Sequence, residues 1–423
     1  MIRAFPWVAA AVLLTACESE PAPAMPRPTV SAAERPPQPL APTRSPEAAA
    51  DATLVAKGKG LVAEYQCNRC HDIAGIEPPE LDFDCAGCHQ KILAGDFDAT
   101  EEELAHWQGR LQSLDEVPSL SATDRLSRTW VATFLPEAHD VRPNLMASMP
   151  RFDMPAEDAE AIAAFLVPSA EAPGPALGDA ERGRTLLSSK GCMSCHRMTG
   201  VPSIPALPTA EPLAADVLAR GQKMAPDLRW ARDRMRPAAL VQWIVDPKAV
   251  KADASMPSLG VTEAEAADIA AYLGQAELEP VPVGTVPALP PSLDRAVTFA
   301  EVNERIFGKI CRHCHSDPNV VIGDGGPGYD GGFGFPKRAL DLSTYEGLRS
   351  GSLDDHGKRR SVFKPVNGQP RIVAHLLARH AEVAGQPVDG VRGMPLGLPP
   401  IPMEDIALLK TWIEQGRKKG EGA

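Results

Sequence analysis

The chain is poor in the material that usually fills protein cores. Aromatic residues are 5% of its 423 residues, so another apolar group has to supply bulk if several domains are to close. Long apolar runs are also missing. The longest, Ala4 to Leu14, falls short of the roughly 20 residues that span a bilayer as a helix. Basic residues are the minority: 43 Lys and Arg against 55 Asp and Glu give a formal charge of −12. Such a surface repels nucleic acid and anionic ligands and steers towards basic partners. The short patches Lys358-Arg359-Arg360 and Lys418-Lys419 read as solvated surface. The glycine-rich stretch Gly323 to Pro336 lacks the G-K-[ST] of a phosphate loop. It fits a calcium-type G-G-x-G-x-D once, at Gly325 to Asp330, where that architecture needs repeats, and so reads as a loop. No nucleophile–base constellation stands out.

Cysteine is present but patterned. Eight of the nine cysteines form four copies of C-x-x-C-H: Cys67-Asn68-Arg69-Cys70-His71, Cys85-Ala86-Gly87-Cys88-His89, Cys192-Met193-Ser194-Cys195-His196 and Cys311-Arg312-His313-Cys314-His315. This is the attachment pattern of c-type haem, in which the two thiols form thioethers and the histidine bonds to iron. It predicts four covalent haems c, with His71, His89, His196 and His315 as proximal ligands. A haem in each core would make up the missing apolar bulk. No cysteine is left for a disulfide.

The remaining cysteine is explained by the start of the chain. Met1-Ile2-Arg3 is a short basic segment, and Ala4 to Leu14 is the apolar core of an export signal. Leu14-Thr15-Ala16-Cys17 resembles the lipobox of bacterial lipoproteins, which implies cleavage before Cys17 and its lipidation. An ordinary secretory signal with an incidental cysteine is the alternative. Both export the protein to where cytochrome c maturation takes place. Glu18, rather than aspartate, after the cysteine leans towards the outer membrane, on its periplasmic face or at the cell surface. Residues 17–50, rich in Pro, Ala, Ser and Glu, cannot build a core and are expected to be a disordered tether.

Proline-rich breaks at Pro168–Asp179 and Leu278–Asp294 divide the remainder into units 51–168, 179–277 and 294–423. Each is of ordinary domain size. A helix is expected just before the first C-x-x-C-H of each, over Leu54–Gln66, Ala180–Lys190 and Phe299–Lys309. An amphipathic helix is expected at each end, over Ala156–Leu166, Thr262–Leu273 and Met403–Glu414. A Met-Pro pair precedes each closing helix, at Met149, Met256 and Met394.

This order resembles class I cytochrome c domains. The resemblance implies an all-α fold of tandem cytochrome c-like domains, with Met149, Met256 and Met394 as second axial ligands. A soft, uncharged sulfur ligand raises the reduction potential. Met146 and Met154 compete with Met149; Met154 aligns with Val261 and reads as core. Pro118-Ser119-Leu120 and Pro226-Asp227-Leu228 resemble the family's proline beside the ligating histidine. The third unit departs from the other two, since Asp341 to Leu348 and Met403 to Gly416 look like domains of large planctomycete-type proteins. There His375 and His380 are alternatives to Met394.

The pair Cys85/Cys88 follows Cys70 after fourteen residues, a spacing close to a zinc ribbon. A histidine after both pairs, in an exported chain, favours two haems over zinc. The haem at Cys85 to His89 has no obvious methionine; His106, in a helix-like run over Thr100–Leu114, is the preferred ligand and His139 the alternative. A bis-histidine haem there would be lower in potential than its neighbours. The sequence thus points to an exported, lipid-anchored tetrahaem electron carrier, with redox proteins and the membrane as partners. A haem enzyme with one open iron, and a haem subunit of a respiratory complex, are the competing readings.

Overall fold

The computed structural model describes residues 45–316 and 339–420, except 80–83, 110, 112–115, 140, 146–148, 150, 153, 175–177, 209–211, 282 and 355. The export signal, Cys17, most of the expected tether, Met146 and the glycine-rich loop lie outside the described residues.

Fifteen α-helices account for nearly all the regular structure described, in three groups. The first group holds α1 (Ala52–Glu64), α2 (Cys85–Ala94), α3 (Glu101–Gln108), α4 (Arg128–Phe134) and α5 (Ala156–Leu166). The second holds α6 (Ala180–Ser189), α7 (Ala215–Met224), α8 (Ala231–Arg234), α9 (Pro237–Val245), α10 (Pro247–Val250) and α11 (Glu263–Gln275). The third holds α12 (Phe299–Val302), α13 (Tyr345–Ser350), α14 (Arg371–Val383) and α15 (Met403–Glu414). Two antiparallel hairpins pair β1 (Ser352–Leu353) with β2 (Arg359–Arg360) and β3 (Pro365–Val366) with β4 (Gln369–Pro370).

Helix starts follow from local chemistry. The Asp51 carboxylate accepts from the N–H groups of Thr53 and Leu54, and Asp179 accepts from Arg182 N–H. Thr262 and Glu265 form a reciprocal capping box at α11, as Thr100 and Glu103 do at α3. The opening and closing helices then cross within each group, and three separate apolar clusters result. Val62 and Ile162 are central to the first, Leu187 and Ile269 to the second, and Ile306, Leu408 and Trp412 to the third.

The first two crossings share one device. Gly58 in α1 and Gly183 in α6 each stand nine residues before the first cysteine of their motif. A β-carbon on Gly58 would collide with the carbonyl oxygen of Ala161, and one on Gly183 with that of Asp268. The backbones therefore touch where the helices cross. In the third group the same position is Val302, which is fully buried. The expected helix Phe299–Lys309 is also interrupted there: after α12 the chain takes a π-helical turn over Asn303–Phe307.

The first two groups share an extensive junction. Leu126 and Met235 form an antiparallel bridge, flanked by Ser127 N–H to Arg234 O (2.9 Å) and Arg236 N–H to Arg125 O (3.0 Å). Arg220 makes a two-point ion pair with Glu116 across the same boundary, at 2.8 and 3.1 Å. The segment expected as tether is anchored by Glu47. Its carboxylate accepts from Ser127 Oγ, the N–H groups of Arg128 and Thr129, and the Arg236 guanidinium.

Candidate haem sites

The first cysteine of three motifs opens a 3-10 turn directly after the group's opening helix: Cys67–Arg69, Cys192–Ser194 and Cys311–His313. Cys67, Cys192 and Cys311 each pack against their group's apolar cluster. Burial pushes the Cys67 and Cys192 thiols up to about 11, and Cys311 up to about 12. Desolvation also raises Cys195. These surroundings favour an uncharged sulfur, which a thioether is and a zinc-bound thiolate is not. The second motif is built differently. Cys85, Cys88 and His89 lie in the first turns of α2, whose start is capped by Asp84. A contact with Cys85 pushes the Cys70 thiol far up, so the first two motifs adjoin. A cavity of about 320 Å³ between them is lined by Cys70, His71, Ala86 and Gly87, together with Asp253 from the second group.

The histidines give the sharper test of whether the residues fit haem. His71 Nδ1 lies 2.8 Å from the carbonyl oxygen of Pro118, and His196 Nδ1 lies 2.8 Å from that of Pro226. A carbonyl only accepts, so in each ring Nδ1 carries the proton and Nε2 is left with its lone pair for iron. Burial lowers both imidazole pKa values and favours the neutral ring a metal ligand needs. The prolines are held in turn: Leu120 N–H bonds to Asp72 O and Leu228 N–H to Arg197 O, both at 2.8 Å. His315 O accepts from Leu342 N–H at 2.7 Å, a different arrangement.

Met256 is half-buried, and its Sδ accepts the indole N–H of Trp243, in α9, at 3.1 Å. Met149 is half-buried on the first cluster, and Met154 is buried within it, in keeping with a core role. Met394 packs on the third cluster, and its N–H bonds to His375 O (2.9 Å). His375 Nδ1 bonds to Arg392 O (2.6 Å), whereas His380 uses Nε2 on Ile401 O (2.8 Å). The structure therefore sets Met394 and His375 side by side. His106 lies exposed on α3, which packs on α2 through Gln108 Nε2 to Ile92 O (2.8 Å). His139 is exposed, with its ring 4.5 Å from that of Trp230.

One feature of the site has no sequence signature. Arg125 stands over the Trp243 ring at 5.5 Å, and Arg234 over the Trp130 ring at 5.6 Å, each reaching across the junction. Burial, together with the charges of Arg125 and Arg142, pulls Arg234 down to about 10. Its Nε has no hydrogen-bond partner among the described residues. Crowded, half-buried guanidiniums suit an anion, and the two carboxylates of a haem have that chemistry.

The family model described as Cytochrome c matches residues 180–277. No curated protein and no solved structure matches the chain. The second group is thus a cytochrome c domain, a haem-based electron-transfer module whose cofactor is covalently bound haem c. It holds Cys192, Cys195, His196 and Met256 in the places described above.

Proposed function

We propose that the whole chain is an exported, lipid-anchored tetrahaem c-type cytochrome that conveys electrons between redox partners. In this reading the domains are 51–168 with two haems, 179–277 with one and 294–423 with one. The observation that carries it is the repeated histidine geometry. His71 in the first group reproduces, at 2.8 Å from a proline carbonyl, the arrangement of His196 within the matched domain. The glycine-mediated helix crossing repeats with it.

Haem iron, when bound, supplies one-electron chemistry. The protein's part is to hold and tune. Cys67/Cys70, Cys85/Cys88, Cys192/Cys195 and Cys311/Cys314 would anchor the four haems. His71, His89, His196 and His315 would supply one ligand to each iron, and Met149, Met256, Met394 and His106 the second. Apolar clusters around three of the four motifs keep water away. Cys17 carries the lipid, and the acidic surface receives partners with basic docking faces. Among the described residues no helix is long and apolar enough to cross a membrane.

Low-temperature EPR of the purified oxidised protein, with iron and haem counted on the same sample, tests this reading. Four haems, all low-spin, are expected. A high-spin signal that changes on adding peroxide or nitrite would replace the carrier with an enzyme bearing an open iron.

A further inference from the structure

The strand-like segment around Leu126 belongs to the first group, yet its arginine is aimed at the second. Backbone bonds pin Arg125: its carbonyl accepts from Arg236 N–H at 3.0 Å, and its neighbour Leu126 bridges to Met235. The guanidinium lies 5.5 Å from the centre of the Trp243 ring. Asp253, three residues before Met256, adds an attractive charge to the same guanidinium. Arg125 therefore sits between α9 and the segment that carries Met256. On the other side of that contact, the Trp243 indole donates its N–H to Met256 Sδ at 3.1 Å.

We propose that Trp243 and Arg125 are positioning residues for the second-group haem, and that they raise its reduction potential across the junction between the first two groups. The inference rests on the reading that Met256 ligates the haem held by Cys192 and Cys195. An N–H bond to a thioether withdraws electron density from the sulfur. It weakens the donor towards oxidised iron more than it affects the reduced form. A cation over the indole face polarises the ring and makes its N–H a stronger donor. The fixed positive charge also favours the reduced state directly, as it is only partly exposed and therefore weakly screened. All three effects act in one direction. The second haem thus acquires its full potential only when the first group is docked against it.

The test uses the full-length tetrahaem protein in a spectroelectrochemical titration. The second-group component is identified as the one whose sulfur-to-iron charge-transfer band is lost in Met256→Ala. Trp243→Phe is expected to lower the midpoint of that component and displace its band. Arg125→Gln is expected to lower the same midpoint, with the other three haems unmoved. Introduced into the Trp243→Phe background, Arg125→Gln should produce a smaller shift than in the wild type, because the N–H route is already gone. Haem count and helical circular dichroism confirm that each variant is folded, and if Trp243→Phe fails that check, Arg125→Gln decides alone. An Arg125→Gln protein whose second component stays in place, or whose four haems all move together, overturns the proposal. A wild-type spectrum with no Met256-dependent band overturns the ligand assignment and the proposal with it. A band that is present but indifferent to Arg125 removes the proposal alone.

Discussion

At the scale of the residue, this protein places single polar atoms where one hydrogen bond decides a protonation state. At His71 and His196 a proline carbonyl selects the ring tautomer. Asp354 shows the same economy away from the candidate sites. Its carboxylate accepts from the N–H groups of His356 (3.0 Å) and Lys358 (2.9 Å) and from Arg360 Nε (2.6 Å). These bonds hold its pKa down to about 2. A carboxylate lowered on folding adds stability above its unfolded pKa of about 4 and loses it as acid protonates the folded form. The stabilisation from Asp354 is therefore expected to be complete at neutral pH and to vanish between about pH 4 and pH 2. Thermal midpoints of the wild type and Asp354→Asn should differ at pH 6 and converge at pH 2. Curves that stay parallel down to pH 2 would show that the carboxylate is not linked to folding.

At the scale of the element, the crossing of opening and closing helices depends on glycine in two groups and not in the third. Gly58 and Gly183 have carbonyl oxygens where a β-carbon would go, so Gly58→Ala and Gly183→Ala force the helices apart. Each is expected to cost about 1–3 kcal/mol, the usual range for an overfilled core. Equilibrium denaturation of each variant measures it. Val302→Ala should behave in the opposite sense, leaving a small void rather than a clash, with a comparable or smaller loss. A Gly183→Ala protein as stable as the wild type would mean that α6 and α11 can slide freely past each other. Much of this level was legible beforehand. The helices Ala156–Leu166 and Met403–Glu414 were delimited by apolar spacing alone. The four C-x-x-C-H motifs and the paired prolines Pro118 and Pro226 stand in the sequence itself, because each is a pattern of neighbours or a repeat. The π-turn at Asn303–Phe307 was not, since its residues carry an ordinary helical pattern. Trp243 gave no cue either: a single indole on an apolar helix face has the same pattern whether it fills a core or faces a ligand.

At the scale of the whole molecule, the first two groups are joined by contacts between residues far apart in sequence, several of them by more than a hundred positions, which sequence spacing cannot reveal. Their common feature is arginine: Arg125, Arg234 and Arg236 each cross the junction. Arg236 is the one with a buried countercharge. Its side chain is 5% exposed and that of Glu47 is 7%, with 3.2 Å between Nη2 and Oε2. Arg236 also donates to Ser169 O at 2.8 Å and to Ser169 Oγ at 2.9 Å. The residue that completes this cluster belongs to the stretch whose composition suggested a free tether. A segment of about five residues before α1 therefore belongs to the folded body. Removing one member of a buried ion pair leaves the other without compensation, at a cost of about 3–5 kcal/mol. Glu47→Ala leaves the Arg236 guanidinium without its countercharge and the N–H groups of Arg128 and Thr129 without their acceptor. The expected result is a loss in that range in chemical denaturation. With it should come a fall in the midpoint of the second-group haem, because a loosened junction moves Arg125 away from Trp243. Glu47→Ala at wild-type stability would make the pair dispensable. Lost stability with an unmoved midpoint would show that the Arg125 contact holds through the Leu126–Met235 bridge alone.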